Sequence, residues 1–385
     1  MRLRRLRRLR RLRRPRRRAR AERGFTLIEL MVALVVSSLL VGMIFAIFIR
    51  MSTAYRSQQQ VAEVQSKLAA ARAKIELDAK QAGFGMSGGF YMAFPGGVRV
   101  SPLRVINNAD GPDEVAFFYA DPSVQVATRT GVGSICNRRQ CDQLGSTEGF
   151  RTGDVVVMST LSWGPAEGYE GSGEPEVALF AACVFQLSSV GPTSLVFSEA
   201  APWGSLAGSH CPSTPEVGTT MFYKLAARHW RIDPSRPADG VLQLSTTGTL
   251  VGIDDWQDQA YGFTDLQVAT RFFEPLDLTD TLDPDADPRR DWYSGEQQEV
   301  NTEPAVALAP PIQISISLVA RTERDVEGIA SASTPDLTVA GNEDNNTVGD
   351  RGPVPLPSVL PALAGHRIYR YTTFQVDLRN LGIGR

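Results

Sequence analysis

The chain has 385 residues, 43% hydrophobic and 21% charged, which excludes a disordered polyelectrolyte and leaves material for one large or two small domains. The net charge of -2 hides an asymmetry: 14 of the 40 basic residues and one of the 42 acidic residues fall in residues 1–24. The remainder therefore carries 26 basic against 41 acidic side chains, a net charge of -15.

Residues 1–24 are arginine-rich, spaced by Leu3, Leu6, Leu9, Leu12 and Pro15. No aromatic side chain interleaves with the arginines, as it would in a nucleic-acid-binding arm, so nucleic acid is not expected as a partner. Basic residues directly before an apolar run instead hold that end of the run in the cytoplasm. The run itself, Phe25 to Ile49, would make a helix of about 37 Å, enough to cross a bilayer core. It is too long for the apolar part of a secretory signal, and no small-x-small cleavage site follows it. Its one ionisable residue is Glu29, a carboxylate that needs a partner in an apolar setting. A plain membrane anchor leaves that acid incidental.

Beyond Ile49 the pattern becomes amphipathic, with Val61, Val64, Leu68, Ala71 and Ile75 recurring every three or four residues. No proline occurs from Phe25 to Gln81 and Gly42 is the one glycine, so a continuous helix is expected from Phe25 to about Ala82. Gly83 and Gly85 then stop it. Gly85-Met-Ser87-Gly-Gly89 matches the pattern of a nucleophile elbow, but that turn needs a strand before it, and a helix stands there.

From about residue 98 the periodicity shifts toward two. Val115, Phe117 and Tyr119 alternate, as do Ile312, Ile314, Ile316 and Leu318, and then Phe374, Val376 and Leu378. Val155–Met158, Val177–Leu187, Met221–Leu225, Val241–Leu244 and Leu266–Phe273 complete the series of strand signals. The fold class is α+β: a long N-terminal helix, partly transmembrane, with a mainly antiparallel β-sheet domain over residues 83–385. A sheet packed on that helix can leave its other face for a partner. Residues 274–304 and 322–362 lack periodicity and read as long surface loops. In the first, Asp283, Asp285, Asp287 and Asp291 have the spacing of a calcium loop. However, Pro288 stands where that loop needs glycine, and Ser294 where it needs a bidentate glutamate. A solvated acidic loop is the reading, with calcium as the alternative. No cofactor is expected, and no nucleotide-binding, zinc-protease or Ser/His/Asp pattern is present to suggest an enzyme.

Four cysteines, Cys136, Cys141, Cys183 and Cys211, contain no C-x-x-C, which argues against structural zinc. Beyond a membrane span they face an oxidising space and are expected as disulfides. Cys136 and Cys141 close a short loop, and Cys183 and Cys211 then pair by elimination, although three connectivities remain open to sequence.

Arg23-Gly24-Phe25-Thr26-Leu27-Ile28-Glu29-Leu30 resembles the processing signal of type IV prepilins and type II secretion pseudopilins. The resemblance implies cleavage between Gly24 and Phe25 by a prepilin peptidase, N-methylation of Phe25, and pairing of Glu29 with an amino terminus during filament assembly. The helix exit Ile75-Glu-Leu-Asp78-Ala-Lys-Gln-Ala-Gly83-Phe84-Gly85 is similar to that of PilW-type minor pilins, with Ala-Lys replacing their usual Leu-Arg. More loosely, Phe222-Tyr-Lys-Leu, Trp230-Arg-Ile, Gly240-Val-Leu-Gln-Leu, Phe263-Thr-Asp-Leu-Gln-Val and Tyr371-Thr-Thr-Phe-Gln-Val-Asp-Leu-Arg379-Asn380 resemble their succession of strands. The division implied is a removed leader (1–24), a membrane or filament-core half-helix (25–49), an amphipathic half-helix (50–82) and a periplasmic domain (83–385). The implied location is the bacterial inner membrane, N-terminus cytoplasmic, and afterwards a pilus at the cell surface. The implied partners are other minor and major pilins, the inner-membrane assembly platform and a PilY-like tip adhesin. A GspJ-type pseudopilin shares the signal and the β-rich domain and is the nearest alternative; a membrane-tethered periplasmic binding domain or enzyme is the other.

Overall fold

A computed structural model describes residues 25–85, 92–93, 99–100, 102–108, 111–131, 136–137, 139–165, 176–198, 220–246, 255–272, 292–293, 311–323 and 367–378. The chain divides into two compact units, Met1–Arg56 and Ser57–Arg385. A helix, α1 (Leu27–Gln81), supplies the described part of the first unit and the beginning of the second. In the first unit residues 25–51 are all exposed, as an apolar surface without a packing partner must be.

Among the described residues sixteen strands follow: β1 (Met92–Ala93), β2 (Arg99–Val100), β3 (Leu103–Ile106), β4 (Glu114–Ala120), β5 (Ala127–Thr128), β6 (Gln140–Cys141), β7 (Val155–Pro165) and β8 (Glu176–Gly191), then β9 (Ser194–Phe197), β10 (Met221–Ile232), β11 (Val241–Ser245), β12 (Gln257–Tyr261), β13 (Phe263–Phe272), β14 (Trp292–Tyr293), β15 (Pro311–Arg321) and β16 (Tyr369–Asp377). They form a 12-stranded sheet with the path β12-β11-β10-β7-β8-β1-β2, and a four-stranded sheet ordered β14-β13-β15-β16. Among the described strands every pairing is antiparallel except that of β1 with β8.

Val64, Leu68, Ala71, Ile75 and Ala79 recur every three or four residues, so they share one face of α1. That face is buried in a core to which the larger sheet contributes Val115, Phe117 and Trp230 and the smaller sheet Val268, Ile316 and Phe374. The helix thus joins the two sheets. A second core gathers Phe185, Leu195, Phe197 and Phe222 around Cys136, Cys141 and Cys183.

Two sequence expectations change. The face of the smaller sheet away from α1 is closed over β13 and β15, where Gln267, Ala269, Ser315, Ser317 and Val319 are all fully buried, and stays open along β16, where Tyr371 and Gln375 are exposed. Alternation of Ile with Ser reads as half-exposed, but a hydroxyl with a partner tolerates burial, as Ser317 and Thr373 show with oxygens 2.9 Å apart. The stretch read as a loop over 274–304 contains β14, which pairs Tyr293 with Thr270. Asp283, Asp285, Asp287 and Asp291 lie outside the described residues. So does most of 322–362, although Thr322 N donates to Ile368 O at 3.0 Å.

Candidate functional site

Thr26 stands immediately before α1 and Glu29 three residues later, the spacing of a reciprocal cap. Glu29 N donates to Thr26 Oγ1 at 3.3 Å, while Thr26 N and Thr26 Oγ1 donate to Glu29 Oε2 at 3.0 and 3.1 Å. A carboxylate in the first turn also faces the positive end of the helix dipole. Glu29 therefore has a local task that the sequence analysis missed, although Thr26-x-x-Glu29 is the signature of one. Phe25 is 87% exposed, and Gly24 lies outside the described residues. The segment beginning here is long and apolar enough to cross a membrane and so to anchor the chain.

At the other end of α1 the exit is tied to the larger sheet. Gly83 and Gly85 both adopt φ of 73°, open to glycine at no steric cost. Gly83 N donates to Phe118 O, and a Cβ on Gly85 would stand 2.7 Å from that of Ala120. Turn and helix precede Gly85, not the strand a nucleophile elbow requires; Ser87 and Gly89 lie outside the described residues. Asp78, the acid of the motif quoted above, is buried and accepts a hydrogen bond from Trp230 Nε1 at 2.9 Å, with Arg228 Nε 3.8 Å away. Burial raises its pKa; the Trp230 hydrogen bond and the Arg228 charge oppose this without cancelling it.

Cys136 and Cys141 are joined as a disulfide, and Cys183 is disulfide-bonded; Cys211 lies outside the described residues. No cluster of three or more His, Cys, Asp or Glu side chains suited to a metal occurs among the described residues. Two polar sites went unread in the sequence. His229 Nε2 stands 2.9 Å from Glu114 Oε2, with its ring against Trp256 and the Arg231 guanidinium over the same indole. A cavity of about 320 Å³ is lined by Ala238, Asp239, Tyr261, Gly262, Glu323 and Arg367. Beside it Arg321 is buried, donates to Ala238 O, and has its pKa lowered by burial and by Arg367. Their signals are dispersed: each depends on residues brought together from three or more segments.

The family described as the prokaryotic N-terminal methylation motif matches residues 19–45, which include Gly24, Phe25 and Glu29. No curated protein matches the chain. Among solved structures, a type IV-like pilin from Thermus thermophilus aligns over 82% of this chain and 96% of its own length. The identity is 12% and the TM-score 0.28, below the level at which a shared fold can be argued. What the comparisons establish is local: the chain carries the N-terminal methylation motif at the start of its apolar helix.

Proposed function

We propose that this chain is a minor pilin, cut between Gly24 and Phe25, methylated on Phe25, and built into a type IV pilus that it primes or caps. The observation that carries the reading is the methylation motif leading into a 55-residue helix with an exposed apolar first half and a buried face in its second. Such a helix can leave lipid and enter a bundle of like helices while its other end stays fixed in a folded domain. The role is structural and not enzymatic. Glu29 would pair with an amino terminus in the filament, an acid and an amine neutralising each other where water is scarce. The partners would be a prepilin peptidase, other minor and major pilins, the inner-membrane assembly platform and a PilY-like tip adhesin. The N-terminus would be cytoplasmic and the domain periplasmic, then exposed on a surface pilus. Cys183 would pair with Cys211.

Intact-mass analysis in a host with a prepilin peptidase tests the reading. Loss of residues 1–24 with a methyl group on Phe25 is expected, and Gly24→Ala should stay full length. A native chain that retains residues 1–24 would exclude the filament role.

A further inference from the structure

Three sheet edges of the second unit can be compared, and they are treated differently. β12 is blunted: its pairing with β11 is irregular at Leu242/Gln243, Asp258 is clasped by Arg236, and Gln259 Oε1 accepts from Lys74 Nζ. The free side of β13 is closed by Asp113, whose N donates to Leu266 O and whose Oδ2 accepts from Val268 N, and further along by β14. β16 has neither protection. It pairs with β15 over nine consecutive residues without irregularity, and among the described residues no strand lies beyond it.

The register fixes which groups face outward. Leu378 N donates to Ile312 O, and Thr322 N to Ile368 O, so even-numbered residues bond to β15. The backbone N–H and C=O of Tyr371, Thr373, Gln375 and Asp377 therefore point away from the sheet. Tyr371, Gln375 and Asp377 are exposed and Thr373 is half-buried. Between Arg370 and Asp377 the strand reads Tyr-Thr-Thr-Phe-Gln-Val, with no charge, proline or glycine to deter pairing.

We infer that the open edge of β16 pairs with the same edge of a second copy of this chain, antiparallel about a two-fold axis at Thr373. Only odd-numbered residues can bond across this edge, so the symmetric registers are few. Centring on Thr373 sets Thr373 opposite itself, Tyr371 opposite Gln375 and Tyr369 opposite Asp377, and overlaps the whole strand. Arg370 Nη1 donates to the outward carbonyl of Tyr369 at 3.1 Å, a bond that the second copy's Asp377 N would share or replace. Up to about ten backbone hydrogen bonds would form. The inference rests on strand geometry and stands whether or not the filament reading does.

Cysteine substitutions in the full-length, membrane-inserted chain test it, since no native cysteine among the described residues is free. Opposed residues of a bonded pair lie about 5.5 Å apart at Cα, within disulfide range. Thr373→Cys alone should give an oxidised dimer on non-reducing gels. Tyr371→Cys and Gln375→Cys should each stay monomeric alone but crosslink when coexpressed. Adding Thr373→Pro, which removes an outward N–H and no backbone bond to β15, should abolish that mixed dimer, whereas Thr373→Val, which drops only the hydroxyl bonded to Ser317, should keep it. Three outcomes overturn the proposal: no dimer from Thr373→Cys or the mixed pair, equal dimer from all single variants, or crosslinking to a chain of another mass. Should Thr373→Cys fail to fold, the coexpressed pair still decides.

Discussion

Asp78 shows how a single residue ties the helix to the sheet at a cost. Its carboxylate is the acceptor for the buried Trp230 Nε1, yet burial raises its pKa. For an acid raised on folding, the contribution to stability is greatest below the unfolded pKa and is lost as pH rises through the folded value. At neutral pH the charge is therefore a burden and the hydrogen bond the gain. Asp78→Asn keeps an acceptor and drops the charge, so urea melts at pH 7 should show equal or higher stability and a flatter profile down to acid pH. Asp78→Ala leaves Trp230 without a partner and should cost about 1–3 kcal/mol. If Asn proves as harmful as Ala, the Arg228 contact outweighs the hydrogen bond. Glu29 allows a similar separation, since a glutamine can still close the cap with Thr26 but cannot neutralise an amine. In a complemented deletion strain, Glu29→Gln and Glu29→Ala should both lose surface filaments. Filaments restored by Gln would reduce Glu29 to a helix cap.

In α1 the two faces of one turn differ sharply. Ile75 is fully buried, whereas Leu77 is 58% exposed. Ile75→Ala removes side-chain volume from a core shared by both sheets and should cost about 2–5 kcal/mol. Leu77→Ala should stay within about 0.5 kcal/mol. Trp230 fluorescence in urea, read on detergent-solubilised chain, distinguishes them. The helix was legible because Val64, Leu68, Ala71 and Ile75 must share a face for its second half to bury anything; the structure begins it at Leu27 and ends it at Gln81. The longer strands were legible by the same logic of period two. β12 was not: Gln-Asp-Gln-Ala-Tyr carries no apolar alternation, because an edge strand largely in solvent needs none. The division into two sheets was equally hidden, since strands of either sheet alternate alike and register between distant segments leaves no local trace. At the candidate site the signal residues could be read one by one, Thr26 excepted. The Asp78–Trp230 tie spans 152 positions and emerged only on folding.

Among its described residues the second unit has two large cores, and the disulfide chemistry belongs to one of them. Cys136, Cys141 and Cys183 are buried with Phe185, Leu195, Phe197 and Phe222, whereas the core under α1 contains no cysteine among its described residues. A crosslink stabilises chiefly by restricting the opened chain, so its removal should act on the segments whose opening it limits. Opening free energies also differ between parts of a protein, in cooperative units that follow packing. Reduction should therefore lower the protection of backbone amides around β6, β9 and the paired stretch of β7 and β8 before that of α1, β15 and β16. Hydrogen exchange followed by mass spectrometry, with and without a membrane-permeant reductant, measures both regions in one sample. The expected record is faster exchange in peptides covering 139–158 and 183–197, with residues 64–82 and 312–321 unchanged. Uniform acceleration across all four would mean that the cores unfold as one unit. The bonds would then hold up the whole domain, and the separation into two cores would have no energetic counterpart.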